Sequence, residues 1–369
     1  MAHCFGDDAL ADARWLTFVD AQCCPVSVQR QLLLSGATPE GLLGADVPRD
    51  LPAELLEPLL KALSSVHPRQ LGNGVDPAQP IQLVTIADPL YPPLLKLCDD
   101  APPVLFAVGD VETLSRPGVA VVGARRASPM GLEVAHEFAA SLAAAGLVIA
   151  SGLALGIDGA AHSGALSVDG SSVAVMPTGI DTVYPRRHAG LAKRLAQRGI
   201  VLSEFPPGTA PRRCTFPRRN RTLSGMTLGT LVVEAGRPSG SLITANAATE
   251  QGREVLAVPW SIRHPGGAGC LHLLARGATL ATSPFDVVDQ IMPGLAAQLT
   301  GFDAVSTKPE RLSPEARRVL ASLGDECLSL EHIARRVGYD VAHCQRQLTL
   351  LELDNRVERA QGGWVQKNA

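Results

Sequence analysis

At 369 residues, 46% hydrophobic and 19% charged with a formal net charge of -3, this is the composition of a folded chain of two or three domains. It is neither a disordered chain nor a generally polycationic one, and with 4% aromatic residues its core must be built mainly of Ala, Leu and Val. The eight cysteines contain no CxxC pair and no Cys/His ligand spacing, so they read as free thiols of a reducing cytoplasm, without structural zinc.

The opening stretch MAHCFGDDALADARW has neither a basic n-region nor an apolar h-region, so no signal peptide is expected. Residues 1–75 read as a small all-α module. ALADARWLTFV, PVSVQRQLLLSG and PEGLLGADV are short amphipathic segments broken by Pro and Gly, and LGNGVDPAQP reads as the linker that leaves them. From 81 to about 290 the texture is α/β. VAVV (119–122) is an apolar run closed by Gly123, and PMGLEVAHEFAASLAAAG follows with helical spacing. Phe138 to Ile157 carries no charge and is nominally long enough to span a bilayer. Gly146, Gly152 and Gly156 divide it, however, into a helix end, a strand and a turn, so no membrane span is expected.

LVIASG (147–152), SVAVMPTG (172–179), VLSEF (201–205), TLVVEA (230–235) and EVLAVP (254–259) are further strands. The helical segments IDGAAHSGALS, HAGLAKRLAQRG and SLITANAATEQG fall between them. This alternation predicts an α/β fold with a doubly wound, mostly parallel sheet covered by helices on both faces. Residues 286–310 read as a second linker. Residues 308–369 then give three helices and a strand-turn-strand around Gly362 and Gly363, the order of a helix-turn-helix with a terminal wing.

In an open parallel sheet the ligand crevice lies at the carboxyl ends of the strands. Those ends carry GARRASPMG, LALGIDGAAH, TGIDTVYPRR, PPGTAPRRCTFPRRNR, GRPSGSLITA and WSIRHPGGAG. Glycines, hydroxyls and arginines therefore gather from six strand ends, a pattern suited to phosphate groups. No GxGxxG follows a strand and no GK[ST] occurs, so dinucleotide-dependent hydride transfer and P-loop NTP hydrolysis lose support. Five arginines, Arg212, Arg213, Arg218, Arg219 and Arg221, fall within ten positions around Phe216 in an acidic chain. Such a run can be a solvated charged loop. Its place beyond a strand end, beside the glycine and hydroxyl loops, favours one wall of a phosphate-binding groove with Phe216 as a base-stacking platform.

Asp158 and His162 are four apart and share a helix face. They are either an acid/base pair or an N-cap Asp with a packed or phosphate-facing His, and the lack of an accompanying nucleophile favours the second. Glu204 and Glu234 end strands in the crevice, where pairing with the nearby arginines is favoured over a general-base role.

VVGARRASPMG, SGLALGIDGAAH, GIDTVYP, SEFPPG, FPRRNR, VVEAGRPSGSLITA and GREVLAVPW occur in this order. Together they resemble the DNA-processing protein A (DprA, also called Smf) family, strongly over about 80–285 and more loosely in the terminal module. The resemblance implies an extended Rossmann-like domain with an N-terminal module of the SAM or helix-hairpin-helix kind and a C-terminal winged helix. It implies a cytoplasmic, dimeric, single-stranded DNA-binding protein of natural transformation and recombination. Such a protein protects incoming strands and loads the RecA recombinase, with no known catalytic activity and no cofactor.

Carried over by position, Gly123, Arg125, Arg126 and Ser128 match the first phosphate loop, and Ser151, Gly152, Gly156, Asp158 and His162 the second. Phe216, Arg218, Arg219, Asn220 and Arg221 match the strand-gripping segment, and Ser239, Gly240, Ser241 and Thr244 the last loop and helix start. Two departures stand out. DAQCCPVS replaces the family's Gly-x-Gly hairpin, which puts a helix-hairpin-helix DNA contact in doubt, and Leu271 stands where the family tends to have Asn. On this reading, charge reversal of Arg218 and Arg221 abolishes strand binding and spares the fold.

The alternative is a nucleoside-phosphate-binding or -cleaving enzyme, similar to the phosphoribohydrolase class. PGGAGCLHL lacks the Thr and Glu of that class's PGGxGTxxE signature. A regulator acting through the winged helix is the third reading. DVAHCQRQLTLLELD offers only Arg346 as fixed positive charge, so that module is expected to contact protein or contribute weakly.

Overall fold

Short apolar runs bounded by glycine become strands in this computed structural model, which describes residues 3–5, 8–19, 25–44, 53–66, 74–293, 313–323, 328–353, 356–360 and 362–366. The chain divides into two compact units, Met1–Ser306 and Thr307–Ala369.

In the first unit the N-terminal residues give β1 (His3–Cys4) and the helices α1 (Ala9–Phe18), α2 (Val26–Leu34), α3 (Pro39–Leu43) and α4 (Ala53–Ser64). The strands that follow are β2 (Gln82–Thr85), β3 (Val104–Gly109), β4 (Gly118–Val122), β5 (Val148–Ser151), β6 (Ser172–Met176), β7 (Ile200–Ser203), β8 (Gly229–Val232), β9 (Glu254–Ala257) and β10 (Thr279–Leu280). The intervening helices are α5 (Pro93–Lys96), α6 (Pro129–Ala144), α7 (Ile157–Ser167), α8 (Ala189–Arg198), α9 (Thr215–Gly225), α10 (Gly240–Glu250), α11 (Ala268–Leu274) and α12 (Pro284–Ile291).

The sheet order is β1-β2-β3-β7-β6-β5-β4-β8-β9-β10. β7 through β10 in that order are parallel, and β1, β2 and β3 add antiparallel at one edge. The sheet is buried on both faces, as parallel sheets are. Along β4, Val119 and Val121 join a core with α6, α7 and α12, while Ala120 and Val122 join the opposite one. The helices of the N-terminal segment pack into that second core through Phe18, Leu32 and Leu59.

Four strands escape the sequence reading, which runs the sheet from 119 to 259: β1, β2 and β3 before it and the two-residue β10 after it. β1 has two residues and thus no period to read, so residues 1–75 are not all helical. β2 and β3 are the antiparallel addition. The larger addition is α9, a helix the sequence reading did not assign, whose first half is FPRRNR. Pro217 sits in the first turn, where a backbone N–H has no helical partner to lose, so it does not break the helix.

The second unit consists of α13 (Pro314–Leu323), α14 (Leu330–Val337) and α15 (Val341–Leu353), followed by the antiparallel hairpin β11 (Val357–Ala360) and β12 (Gly363–Gln366). Val319, Leu323, Ile333, Leu348 and Trp364 form its own core. No described helix is long and apolar enough to cross a membrane. Most of the segment read as the second linker, from 294 on, lies outside the described residues.

Candidate nucleic-acid interface

The chain runs β4 to β7 outward on one side of the sheet and β8 to β10 on the other, so the winding reverses between β4 and β8. Loops leaving the carboxyl ends of two such strands part in opposite directions and leave a crevice. A cavity of about 520 Å³ lies there. Gly123, Arg125 and Arg126 line it from the β4 loop, Asp158 from α7, Phe216, Arg219 and Asn220 from α9, and Ser239, Gly240, Ser241 and Thr244 from the start of α10. Gly152 lines a smaller adjoining pocket with Arg125, Tyr184, Phe216 and Arg219.

The β4 loop is pinned on both sides. The Ala124 N–H donates to the Glu234 carbonyl at 2.7 Å, and the Ile157 N–H donates to the Ala124 carbonyl at 3.2 Å. A Cβ on Gly123 would meet the Ile157 side chain and come within 2.9 Å of the Glu234 carbonyl, so this close approach needs glycine. Arg125 and Arg126 project into solvent from the pinned loop. The Arg125 guanidinium sits over the Phe216 ring, 5.2 Å from its centre, and Tyr184 meets that ring edge-on at 5.8 Å.

Beneath them Arg219 is buried at 5% exposure. Its Nη1 donates to the carbonyls of Gly152 and of Val175, the latter at 2.7 Å, and its Nε donates to Asn220 Oδ1 at 3.0 Å. A Cβ on Gly152 would overlap the guanidinium. Burial pulls Arg219 down to about 10, opposed by the charges of Asp158 and Glu204, so it stays cationic at neutral pH. Asp158 is buried and accepts the N–H groups of Gly152 at 3.1 Å and Ala154 at 3.2 Å. Burial raises its pKa, and the Arg219 charge opposes the rise. It therefore holds the second loop rather than capping its own helix, whose N-cap is Gly156 at φ 80°.

Ser239 caps α10, its Oγ accepting the Ser241 N–H at 3.3 Å. The first-turn N–H groups of a helix lack intrahelical partners and carry the positive end of its dipole. Arginines, a helix start and a ring thus converge on one cavity, equipment for a phosphate and a base.

Other matched residues serve the frame. Ser128 caps α6 and faces inward, its Oγ donating to Glu234 Oε2 at 2.7 Å. Ser151 Oγ donates to the Val121 carbonyl at 2.7 Å. His162 is fully buried, its Nδ1 2.8 Å from Ser172 Oγ. The Ser172 hydroxyl gives its single proton to the Ile149 carbonyl at 2.7 Å, so the imidazole Nδ1–H is the donor to that oxygen. Nε2 is then bare and has no hydrogen-bond partner.

Arg218 and Arg221 do not line the cavity. They turn to a neighbouring groove, where Arg218 pairs with Glu204 at 3.2 Å and Arg221 with Asp100 and Glu250. A reversed charge at Arg218 would face the buried Glu204, so the double reversal tests stability as much as strand contact. Glu204 is arginine-paired, as expected, but Glu234 is not. It accepts from Ser128 and lies 3.3 Å from His264 Nε2. The β9 loop does not line the cavity either, because it folds back with Gly267 against Trp260, and Leu271 lies on α11 outside the lining. Sequence reasoning missed Tyr184. An aromatic beyond the β6 end was its only signal.

Residues 82–292 match the family model for DNA recombination-mediator protein A, and residues 303–363 match the DprA winged helix domain. The chain belongs to the DNA recombination-mediator protein A family. It is 41% identical over 289 residues to Protein Smf of Escherichia coli, covering 77% of this chain and 76% of that protein. It is 44% identical over 204 residues to DNA processing protein DprA of Streptococcus pneumoniae, covering 55% and 72%. The solved structure of that DprA matches with a TM-score of 0.61 at 33% identity, over 76% of this chain and 98% of that one. DNA processing protein A of Helicobacter pylori, solved for its single-stranded DNA binding mode, matches with a TM-score of 0.52 at 27% identity, over 57% and 96%. The mixed α/β unit with its large, mostly parallel sheet and the winged-helix unit are those of the DprA family.

Two stability predictions follow from the buried groups of this DprA-family site. Arg219→Met leaves Asp158 buried without its cation and should cost about 3–5 kcal/mol in denaturant unfolding. Arg125→Ala, on an exposed side chain, should change stability by less than about 0.5 kcal/mol. A loss for Arg219→Met no larger than that for Arg125→Ala would refute the structural role.

Burial, with the charges of His188 and Arg219, holds His162 down to about 3. Its folded pKa lies below its unfolded one, so its contribution is complete above about 6.5 and is lost as pH falls from there toward 3, by about 1.4 kcal/mol per pH unit. Unfolding free energies at pH 7 and pH 5 should therefore differ less for His162→Leu than for the wild type, and equal differences would count against it.

Proposed function

We propose that this chain binds single-stranded DNA in the cavity between β4 and β8, without catalysing a reaction on it. The observation that carries the reading is the stack of Arg125 on Phe216 above the buried Arg219, beside the α10 N-terminus. Exposed arginines supply phosphate contacts. The Phe216 and Tyr184 rings supply a stacking surface that any base can use, so sequence preference should be weak and salt dependence marked. The matched residues that line the cavity are the contact candidates, and Ser128, Ser151, Gly156 and His162 shape it.

The enzyme reading loses support because Asp158, which lines the cavity, and the two acids nearby are already committed. Asp158 holds two backbone N–H groups, Glu234 holds Ser128, and Glu204 pairs with Arg218. Family membership supports the remaining parts of the proposal. These are protection of incoming strands in the cytoplasm, their delivery to the RecA recombinase during natural transformation or recombination, and a homodimer as the working form. The site belongs to the 81–290 domain. The 308–369 module is proposed to contact protein or to contribute weakly rather than to read bases.

Mobility-shift titrations of an oligo-dT and a duplex of equal length, across salt, test this. Single-strand binding should be the tighter. Arg125→Ala/Arg126→Ala should make the slope of log K against log salt shallower by about 1.4, since each single-strand phosphate contact contributes about 0.7. An unchanged slope would remove the site assignment, and release of free base from a nucleoside monophosphate would restore the enzyme reading.

A further inference from the structure

Only part of the arginine cluster faces the cavity. An α-helix turns about 100° per residue, so Phe216, Arg219, Asn220 and Leu223 share one face of α9 while Arg218, Arg221 and Thr222 share the next. That second face borders a groove whose other walls include Leu95, Pro102 and Val26. There the arginines meet acids from three separate parts of the chain. Arg218 Nη2 lies 3.2 Å from Glu204 Oε2, with its guanidinium carbon 5.1 Å from the centre of the Phe205 ring. Arg221 is held from two sides, its Nε by Asp100 and its Nη1 by Glu250 at 2.6 Å. The pairing at Arg218 is lopsided, because its side chain is 60% exposed and that of Glu204 is 5% exposed. Glu204 Oε1 is also buried and without a hydrogen-bond partner. A solvent-facing cation is thus tethered to a fixed, buried acid.

On the reading that the cavity binds single-stranded DNA, we propose that Glu204, Asp100 and Glu250 are positioning residues. They withdraw Arg218 and Arg221 from the strand-gripping charge and so set its strength and salt dependence. A phosphate can recruit Arg218 only by leaving the buried Glu204 carboxylate unpaired or protonated, which is costly. The Arg221 pairs are at the surface, where salt and water compete with them, so that arginine is the more easily recruited. The strand then sees fewer free cations than the sequence contains. A weaker grip suits a protein that hands its strand on.

The test uses the full chain and an oligo-dT across a salt series. Asp100→Asn/Glu250→Gln alters two acids that are 45% and 64% exposed, so it should leave the fold intact. It should raise affinity several-fold at low salt and steepen the salt slope by about 0.7, one phosphate contact. Glu204→Gln should do the same through Arg218. Each gain should vanish when Arg221→Ala, or Arg218→Ala respectively, is added to the same background. An unchanged slope overturns the proposal, as does a gain that survives removal of the arginine, which would reflect a general loss of negative charge. If Glu204→Gln does not fold, the Asp100/Glu250 arm decides alone. Wild-type protein that fails to bind the oligonucleotide overturns the parent reading too, whereas wild-type binding with unmoved variants overturns only this one.

Discussion

A guanidinium buried at the carboxyl end of the sheet organises this site. Arg219 takes the carbonyls at the ends of β5 and β6 and the side chain of Asn220, and it faces Asp158. Moving such an ion out of water costs several kcal/mol, and only this ring of acceptors with a nearby carboxylate keeps it charged. The neighbours follow from that constraint. A Cβ at position 152 would displace the guanidinium from these acceptors, which glycine avoids. Asp158, on which that charge acts, in turn fixes the loop from 152 to 154 that leads into α7. The cavity floor therefore carries a guanidinium fixed in place, with the buried Asp158 in the same lining. The exposed Arg125 lies above it on a ring already in place.

This arrangement divides the arginines by function. Arg219 is structural and electrostatic at once, Arg125 and Arg126 are free to meet a ligand, and Arg218 and Arg221 are occupied by carboxylates. A count of charges in RRCTFPRRNR treats these as equivalent. Their faces on α9 and their partners at Glu204, Asp100 and Glu250 make them unequal.

The parallel core was legible because β4 through β9 are short apolar runs closed by glycine or polar turns, with helical spacing between them. The long collinear motifs marked the same loops that line the cavity. What stayed hidden depends on contacts distant in sequence. α9 went unassigned, because proline at a helix's first turn and proline in a loop leave the same trace in sequence. β1 and β10 have two residues each and no period to read, while β3 is a six-residue apolar run, VLFAVG, whose antiparallel pairing with the distant β7 no local pattern announces. Glu234 was expected beside an arginine, but the parallel register of β8 on β4, with Val122 opposite Val232, carries it to the Ser128 cap instead. Six strand ends were expected to share the crevice. Strand order decides otherwise, since β9 lies beyond β8 from the point where the winding reverses, and its loop closes on Trp260.

In the proposed binding mode a single strand lies across the Phe216 and Tyr184 rings, with its phosphates on Arg125, Arg126 and the α10 start. Photo-crosslinking of an oligonucleotide carrying 5-iodouracil, with the attached residue mapped by mass spectrometry, tests it most directly. Adducts are expected at Phe216 or Tyr184. Adducts confined to the α1–α4 segment or to the Thr307–Ala369 unit would contradict it.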